Sequence, residues 1–439
     1  GSFVGPEDVA RTMQWDEIVG LGEMMNFPGI LASDDHAHGI VDATLAADKV
    51  VTGHYSLPET GAGLNAYAAS GIRCCHESTR PEDVIAKMRL GMYAQLRMGS
   101  AWQDLPVIAK ALTETGIGGR FACLVSDDTH PNTLVSHGHM DYILRVAVEN
   151  GIDPITAIRM ATINTAQCYR MDQDLGAIAP GKCADIVLLK DLEHFDVVRT
   201  IIDGETVAID GKMTRELAPY TYPDWARESV HLKDAVTADT FKIAAPENRD
   251  RVTIRAIEVI PARVGDIERF VELAVANGHL ESDTQQDVLK TVVLERHHAT
   301  GTKGVGFVKG FGIKRGAMAS TVAHDAHNLL VVGTNDDDMA LAANTLINCG
   351  GGMVAVADGK VLGLAKLPIA GLMNDESAEE TAADVATLEE AWKTIGCSMP
   401  SPFMTMALIP LACLPDLRLT NRGLVDCRTF QFAPLVVEE

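Results

Sequence analysis

The sequence predicts an α/β chain: a barrel of alternating strands and helices, then a small β region, then a separate α+β domain. Three observations predict it. Short runs of small and apolar residues end repeatedly in a group able to hold a metal, at Glu23, His54, His76 and Asp127. Runs that stop abruptly in a polar residue read as the carboxyl ends of buried parallel strands. These groups lie 31, 22 and 51 residues apart; a strand with its return helix takes roughly 25–35 residues, so the gaps fit one, one and two βα units. Beyond residue 241 the pattern changes to alternating apolar stretches with two long helical segments, which predicts a second domain of another class.

Side chains at the ends of successive barrel strands converge on one face, and that face is where such barrels carry their chemistry. Imidazoles and carboxylates together suit a hydrolytic metal of the zinc, manganese or iron kind.

Composition narrows the function classes. The chain has 439 residues, 47% of them hydrophobic, enough for a large core and too apolar for global disorder. Its formal net charge of −23, from 60 acidic and 37 basic residues, argues against a broad nucleic-acid-binding surface. No stretch approaches the roughly 18 apolar residues of a membrane span, and no basic-then-apolar signal segment opens the chain. The nine cysteines are odd in number, scattered and never spaced as Cys-x-x-Cys. Cys123, Cys349 and Cys413 sit in apolar runs and are expected as buried thiols in a reducing cytoplasm.

Taken in order, residues 5–20 open as an acid-capped short helix and lead into a strand over 17–22 that delivers Glu23. His36-Ala37-His38 has the spacing of a metal pair, but it follows Ser33-Asp34-Asp35 and precedes a helix, so it is expected as a solvated loop. A strand over 49–53 delivers His54. A helix over 64–71 with a glycine stop precedes the strand over 72–75, which delivers His76 and Glu77. A helix with Pro81 in its first turn follows, then a strand over 94–97, a helix over 105–115 and a strand over 120–126 ending at Asp127. The doublet Asp127-Asp128 leaves two candidates there; alternation along a strand favours Asp127. Two amphipathic helices, 141–150 and 154–169, close the region.

The segment 175–215 reads as a turn, a strand and a hairpin over 198–202 and 206–210 with Asp-Gly turns. Residues 216–240, with Pro219, Tyr220, Tyr222, Pro223 and Trp225, read as a connector. The domain organisation expected is therefore 1–170 barrel, 171–215 small β-subdomain, 216–240 connector and 241–439 α+β domain. In the last, strands are expected over 253–259, 291–293, 329–332 and 353–357, and helices over 338–348 and 378–395.

Leu175-Gly-Ala-Ile-Ala-Pro180-Gly-Lys-Cys-Ala-Asp185 resembles the signature of the small β-subdomain that closes amidohydrolase-superfamily barrels. The likeness is closer still in Val-Gly-Leu-Gly-Glu23-Met-Met-Asn, Gly-Ile-Arg-Cys-Cys-His76-Glu77, Leu-Val-Ser-Asp127-Asp128-Thr-His130-Pro and Thr-Val-Ala-His324-Asp-Ala-His327-Asn. With Leu367-Pro-Ile-Ala-Gly-Leu-Met-Asn-Asp-Glu376, these resemble prokaryotic adenine deaminase in order along nearly the whole chain. The family's first barrel strand carries a His-x-His pair upstream of the Glu, and no segment before Glu23 supplies one. The chain thus resembles the family without roughly its first third.

The resemblance implies a (β/α)8 amidohydrolase-type barrel, incomplete in this chain, with a small β-subdomain and a C-terminal α+β domain. It implies a binuclear divalent metal centre of manganese or iron, zinc being accepted by the same donors. The reaction implied is hydrolysis of adenine to hypoxanthine and ammonia in purine salvage, a metal-bound hydroxide attacking C6. Glu23 takes the place of the bridging carboxylate, and His54 and His76 bind the second ion. Asp127, at the metal, or Asp128 in its stead, shuttles the proton to the leaving amine. Glu77 handles the proton at N1 or orients a ligand, and His130 and His139 orient substrate. The only partner implied is small-molecule adenine, with no nucleic acid and no membrane; a homodimer follows by family analogy. The alternatives are another amidohydrolase acting on a cyclic amide or aminopurine, and a catalytically silent chain.

Overall fold

The structure is a computed structural model that describes residues 3–261 and 264–437. Two compact units divide the chain between Pro219 and Tyr220, inside the segment expected as a connector.

The first unit is organised on five parallel strands whose spatial order equals their chain order: β1 (Gly20–Met24), β2 (Val50–Gly53), β3 (Ile72–Cys75), β4 (Tyr93–Arg97) and β5 (Ala122–Val125). This is a contiguous arc of an α/β barrel. The gap from His76 to Asp127 spans two βα units because β4 lies between β3 and β5. Every residue of β2 and β4 is buried, as expected of parallel strands covered on both faces. One face packs Tyr55, Leu64, Tyr67 and Cys75 against helices. Cys74 and Cys123 meet Tyr93 and Cys168 in a separate cluster.

Two local expectations change. His36 and His38 lie in the first turn of the helix Asp35–Ala46 rather than in a loop. Asp34 caps that helix by accepting from the Ala37 amide at 2.8 Å, which pulls both histidines into the turn. His38 Nε2 lies 3.0 Å from the Ile30 carbonyl and the His36 ring stacks on Phe3, so neither reaches the strand ends. The helix expected over 154–169 is broken at Thr162 (φ −123°, ψ −93°) into Pro154–Ala161 and Ile163–Cys168. Thr162 Oγ1 donates to the Ile158 carbonyl at 2.7 Å, and the break turns buried Asn164 toward the sheet. Its Nδ2 donates to the carbonyls of Gly119 and Ala122, both at 2.8 Å, pinning the start of β5.

The small β region forms a four-stranded antiparallel sheet in sequential order: β6 (Ile186–Leu189), β7 (Val197–Ile202), β8 (Glu205–Ile209) and β9 (Lys212–Met213). Asp203-Gly204 and Asp210-Gly211 both have positive φ at their two positions, the conformation of tight hairpin turns that match strand twist.

The second unit carries a ten-stranded sheet, antiparallel except where Arg251–Val259 pairs in parallel with Lys303–Lys309. Its central strands are apolar on both faces. In Val288–Leu294, Leu289 and Val293 enter one core while Val292 and Leu294 enter another. The helix Ala378–Thr394 supplies Leu388, Ala391 and Trp392 to the first core, and Asp336–Cys349 supplies Met339, Ala342 and Leu346 to the second. Helices on both sides explain why these strands, expected to alternate, send apolar side chains to both faces. Of the cysteines expected as buried thiols, Cys123 is buried, whereas Cys349 and Cys413 are only partly so; all nine are free.

Replacing Asn164 with Ala leaves the Ala122 carbonyl without its buried donor, a loss of about 1–3 kcal/mol. A lower urea midpoint at unchanged m value is the expected result.

Candidate metal centre

Each of the five parallel strands hands a polar group to the same edge of the sheet. Glu23 lies in β1, His54 follows β2, His76 and Glu77 follow β3, Arg97 ends β4, and Asp127 follows β5. The backbone leaves the strands here and its side chains converge, as barrel topology requires.

Glu23 and His54 are tied first: Glu23 Oε1 lies 2.6 Å from His54 Nδ1 and 3.4 Å from His76 Nε2. Glu77 Oε1 approaches His76 Nε2 at 3.6 Å and His54 Nδ1 at 3.9 Å. The two imidazoles sit edge to face, 5.2 Å between ring centroids. Donor atoms of Glu23, His54 and His76 lie within 4.8 Å of one another, as do those of His76, Glu77 and Asp127. His76 belongs to both groups. Among the described residues, His54 Nε2 is buried without a hydrogen-bond partner, a costly state for a polar atom unless something binds it. Nitrogen and oxygen donors in two overlapping groups fit a divalent cation.

Charge supports the same fit. Arg97 is 1% exposed and donates to Glu77, to Asp127 at 2.8 Å and to Asp104 at 2.7 and 2.9 Å. Burial works against an ionised Glu77, but the Arg97 guanidinium and the two imidazoles win and hold its carboxyl at about 2. Burial disfavours the charged His54 ring, yet the hydrogen bond it donates to Glu23 and the nearby Glu77 carboxylate raise it above the ordinary value. For His76 burial prevails and lowers it, against the pull of Glu77, Glu23 and Asp127. One guanidinium among three carboxylates leaves an excess of negative charge, which a divalent cation balances.

The supporting residues are those that sequence reading passed over. Tyr67 is fully buried; its hydroxyl donates to the Met24 carbonyl at 2.6 Å and accepts from the His54 amide at 2.9 Å. It therefore fixes the ends of β1 and β2 against each other. Buried Lys87 donates to the Glu77 carbonyl and to Ser78 Oγ, holding the turn that presents His76 and Glu77. Arg97 had a signal: it ends its strand as Glu23 nearly ends β1. A guanidinium offers no lone pair to a metal, so its position carries none of the marks of a ligand.

The doublet resolves into two environments. Asp127 adopts φ 62° and turns to Arg97 with its side chain 35% exposed. Asp128 is buried and accepts from the amides of Ala101, at 2.6 Å, and Trp102, at 3.4 Å. A side chain at Gly99 would meet Asp128 Oδ1 at 1.9 Å, so the 99–102 loop is built onto this carboxylate. Its carboxylate oxygens thus accept from backbone amides, whereas the Asp127 carboxylate accepts from Arg97. His130 and His139 also stand outside the two groups. The His130 amide donates to Ser100 Oγ at 2.8 Å and its ring lies 3.9 Å from Asp128. His139 precedes the helix Met140–Glu149, with Nε2 3.3 Å from Ser126 Oγ.

Residues 7–207 match the amidohydrolase family and residues 266–431 the adenine deaminase C-terminal domain. An adenine deaminase of Clostridium botulinum is 66% identical over 439 residues, covering 100% of this chain and 73% of that protein. The chain belongs to the adenine deaminase family. A further member from Moorella thermoacetica is 54% identical over 436 residues, covering 99% of this chain and 73% of its own. One from Rubrobacter xylanophilus is 44% identical over 429 residues, covering 97% and 71%. Membership in the amidohydrolase family implies a divalent metal. Among the described residues no helix is long and apolar enough to cross a membrane.

Glu23→Gln and His54→Ala each remove a donor from the first group. Equilibrium dialysis against manganese should show an affinity loss of about 10-fold or more, with the far-UV spectrum unchanged.

Proposed function

We propose that this chain hydrolyses adenine to hypoxanthine and ammonia. Family membership supplies the substrate, and the observation that supports the chemistry is the pair of donor groups sharing His76 at the strand ends. The C6–N6 bond breaks, a C6–O bond forms with the oxygen of water, and the amine leaves as ammonia.

Glu23, His54 and His76 would hold one divalent ion, and the Glu77 and Asp127 carboxylates offer oxygen donors beside it for a second. This favours a binuclear site, with manganese or iron as the ions and zinc accepted by the same donors. Such ions lower the pKa of water to about 7 and stabilise charge developing on the ring.

The chain's own residues divide the remaining work. Asp127 is the proton carrier between the attacking water and the leaving amine, the general acid/base task. Its partial exposure and its place after β5 leave it open to the substrate side. Glu77, held by Arg97 next to both imidazoles, would exchange a proton with N1 of the purine. His130 and His139 flank the loops beyond β5 and are suited to orienting substrate rather than reacting with it. By family analogy the chain works in purine salvage in the cytoplasm, as a homodimer.

The test is ammonia release from adenine by the manganese-loaded chain. Asp127→Asn should lower kcat by about 10²–10⁴, while Asp128→Asn chiefly lowers the thermal midpoint. Turnover of a cyclic amide or another aminopurine without turnover of adenine would sink the adenine reading.

A further inference from the structure

We propose that Arg97 is the positioning residue of this site, setting the separation and direction of the two carboxylates that carry protons, Glu77 and Asp127. The proposal rests on the deaminase reading for its consequence in turnover and on the geometry for its placement.

The geometry is specific to a guanidinium. Both carboxylates are held by one nitrogen, Nη1, which donates to Glu77 Oε1 and to Asp127 Oδ2, the latter at 2.8 Å. The two protons of a single planar nitrogen point in fixed directions, so the two acceptors cannot move independently. The opposite edge is anchored: Nε and Nη2 both donate to Asp104 Oδ2, at 2.9 and 2.7 Å. Trp102 stacks on the group, 6.0 Å from Cζ to the ring centroid. Asp104 and Trp102 leave the loop that Asp128 fastens through the amides of Ala101 and Trp102. One chain of contacts thus runs from Asp128 through this loop to Arg97, and from Arg97 to Glu77 and Asp127.

The arrangement assigns each member a distinct task. Arg97 is buried behind the carboxylates and meets the donor groups only at Glu77 and Asp127, so it acts through those two side chains. Asp104 fixes the guanidinium. Asp128 fixes the loop that carries Asp104. A lysine at position 97 has one flexible ammonium in place of a fork and cannot serve both carboxylates and Asp104 in a fixed plane.

The experiment compares Arg97→Met, Arg97→Lys and Asp104→Asn with the parent chain, each loaded with manganese. Bound manganese per chain, KM for adenine and kcat are measured, and the structure of Arg97→Met is determined. The expected result is retention of the manganese held by Glu23, His54 and His76, that is at least one ion per chain, and a KM within a few-fold, with kcat lower by about 10²-fold in Arg97→Met. Arg97→Lys and Asp104→Asn should lose less, about 10-fold each, and methylguanidine should restore part of the activity of Arg97→Met. In that variant Glu77 and Asp127 should have left their places with the backbone of β3 to β5 unchanged. Carboxylates unmoved in the structure, a kcat equal to the parent's, or a kcat loss that tracks loss of the manganese at Glu23, His54 and His76 would each overturn the proposal. If Arg97→Met does not fold, Asp104→Asn carries the same test. A parent chain that releases no ammonia while the carboxylates move as expected would refute the deaminase reading and leave the positioning role standing.

Discussion

A buried guanidinium surrounded by carboxylates is the interaction on which the site depends. Arg97 is among the largest fully buried side chains of the chain, and its partners Glu77, Asp104 and Asp127 come from the end of β3, the loop after β4 and the end of β5. Ion pairs removed from water are weak sources of stability, because desolvation offsets much of the attraction. Breaking one by removing a single partner nevertheless costs about 3–5 kcal/mol, since the remaining charge is stranded. The pairing therefore specifies geometry more than it adds stability. Three neighbouring strand ends cannot drift apart without exposing or orphaning a charge.

The five-stranded arc supplies the second constraint. Parallel strands all end on the same edge, so any polar residue placed one or two positions past a strand is delivered to one place. What the backbone cannot do is aim the side chains within that place. Tyr67 does so between β1 and β2, Lys87 behind the turn after β3, and Arg97 between β4 and β5. Each of the three is buried; Tyr67 and Lys87 donate to backbone carbonyls, and Arg97 donates to carboxylates. The groups gathered at the strand ends thus stand on partners already locked by packing, the condition for holding side chains to a fraction of an ångström.

The barrel strands and the groups they deliver were legible because their signal is local. A short apolar run followed by His or a carboxylate needs no tertiary information, and the spacing of such runs counts strands; the gap before Asp127 even registers β4. Glu23, His54, His76, Glu77 and Asp127 were read this way, and the structure brings them together. The hairpins of the small sheet were equally legible from their Asp-Gly pairs. Arg97, Tyr67 and Lys87 were not, because a buried cation or phenol is explained only by its partners, and those lie in other strands and helices. The break at Thr162 was hidden for a related reason. Helical periodicity continues across it, and the turn is imposed by Asn164 reaching carbonyls more than forty residues away in sequence.

The adjacent aspartates show how finely the chain separates function from support. Asp127 and Asp128 have the same chemistry and differ by one position, yet a positive φ at Asp127 sends their carboxylates to different surroundings. A left-handed conformation is tolerated by aspartate better than by most residues, so the sequence can turn here without a glycine. The first carboxylate faces Arg97 and remains partly open. The second is buried against two amides, which burial alone would make costly for a charged group; it is raised above the ordinary carboxylate value despite those hydrogen bonds. Through the loop it holds, Asp128 orients Trp102 and Asp104 around Arg97, and through Arg97 it reaches back to Asp127. One aspartate stays partly open beside Arg97, and its neighbour fastens the loop from which Arg97 is held.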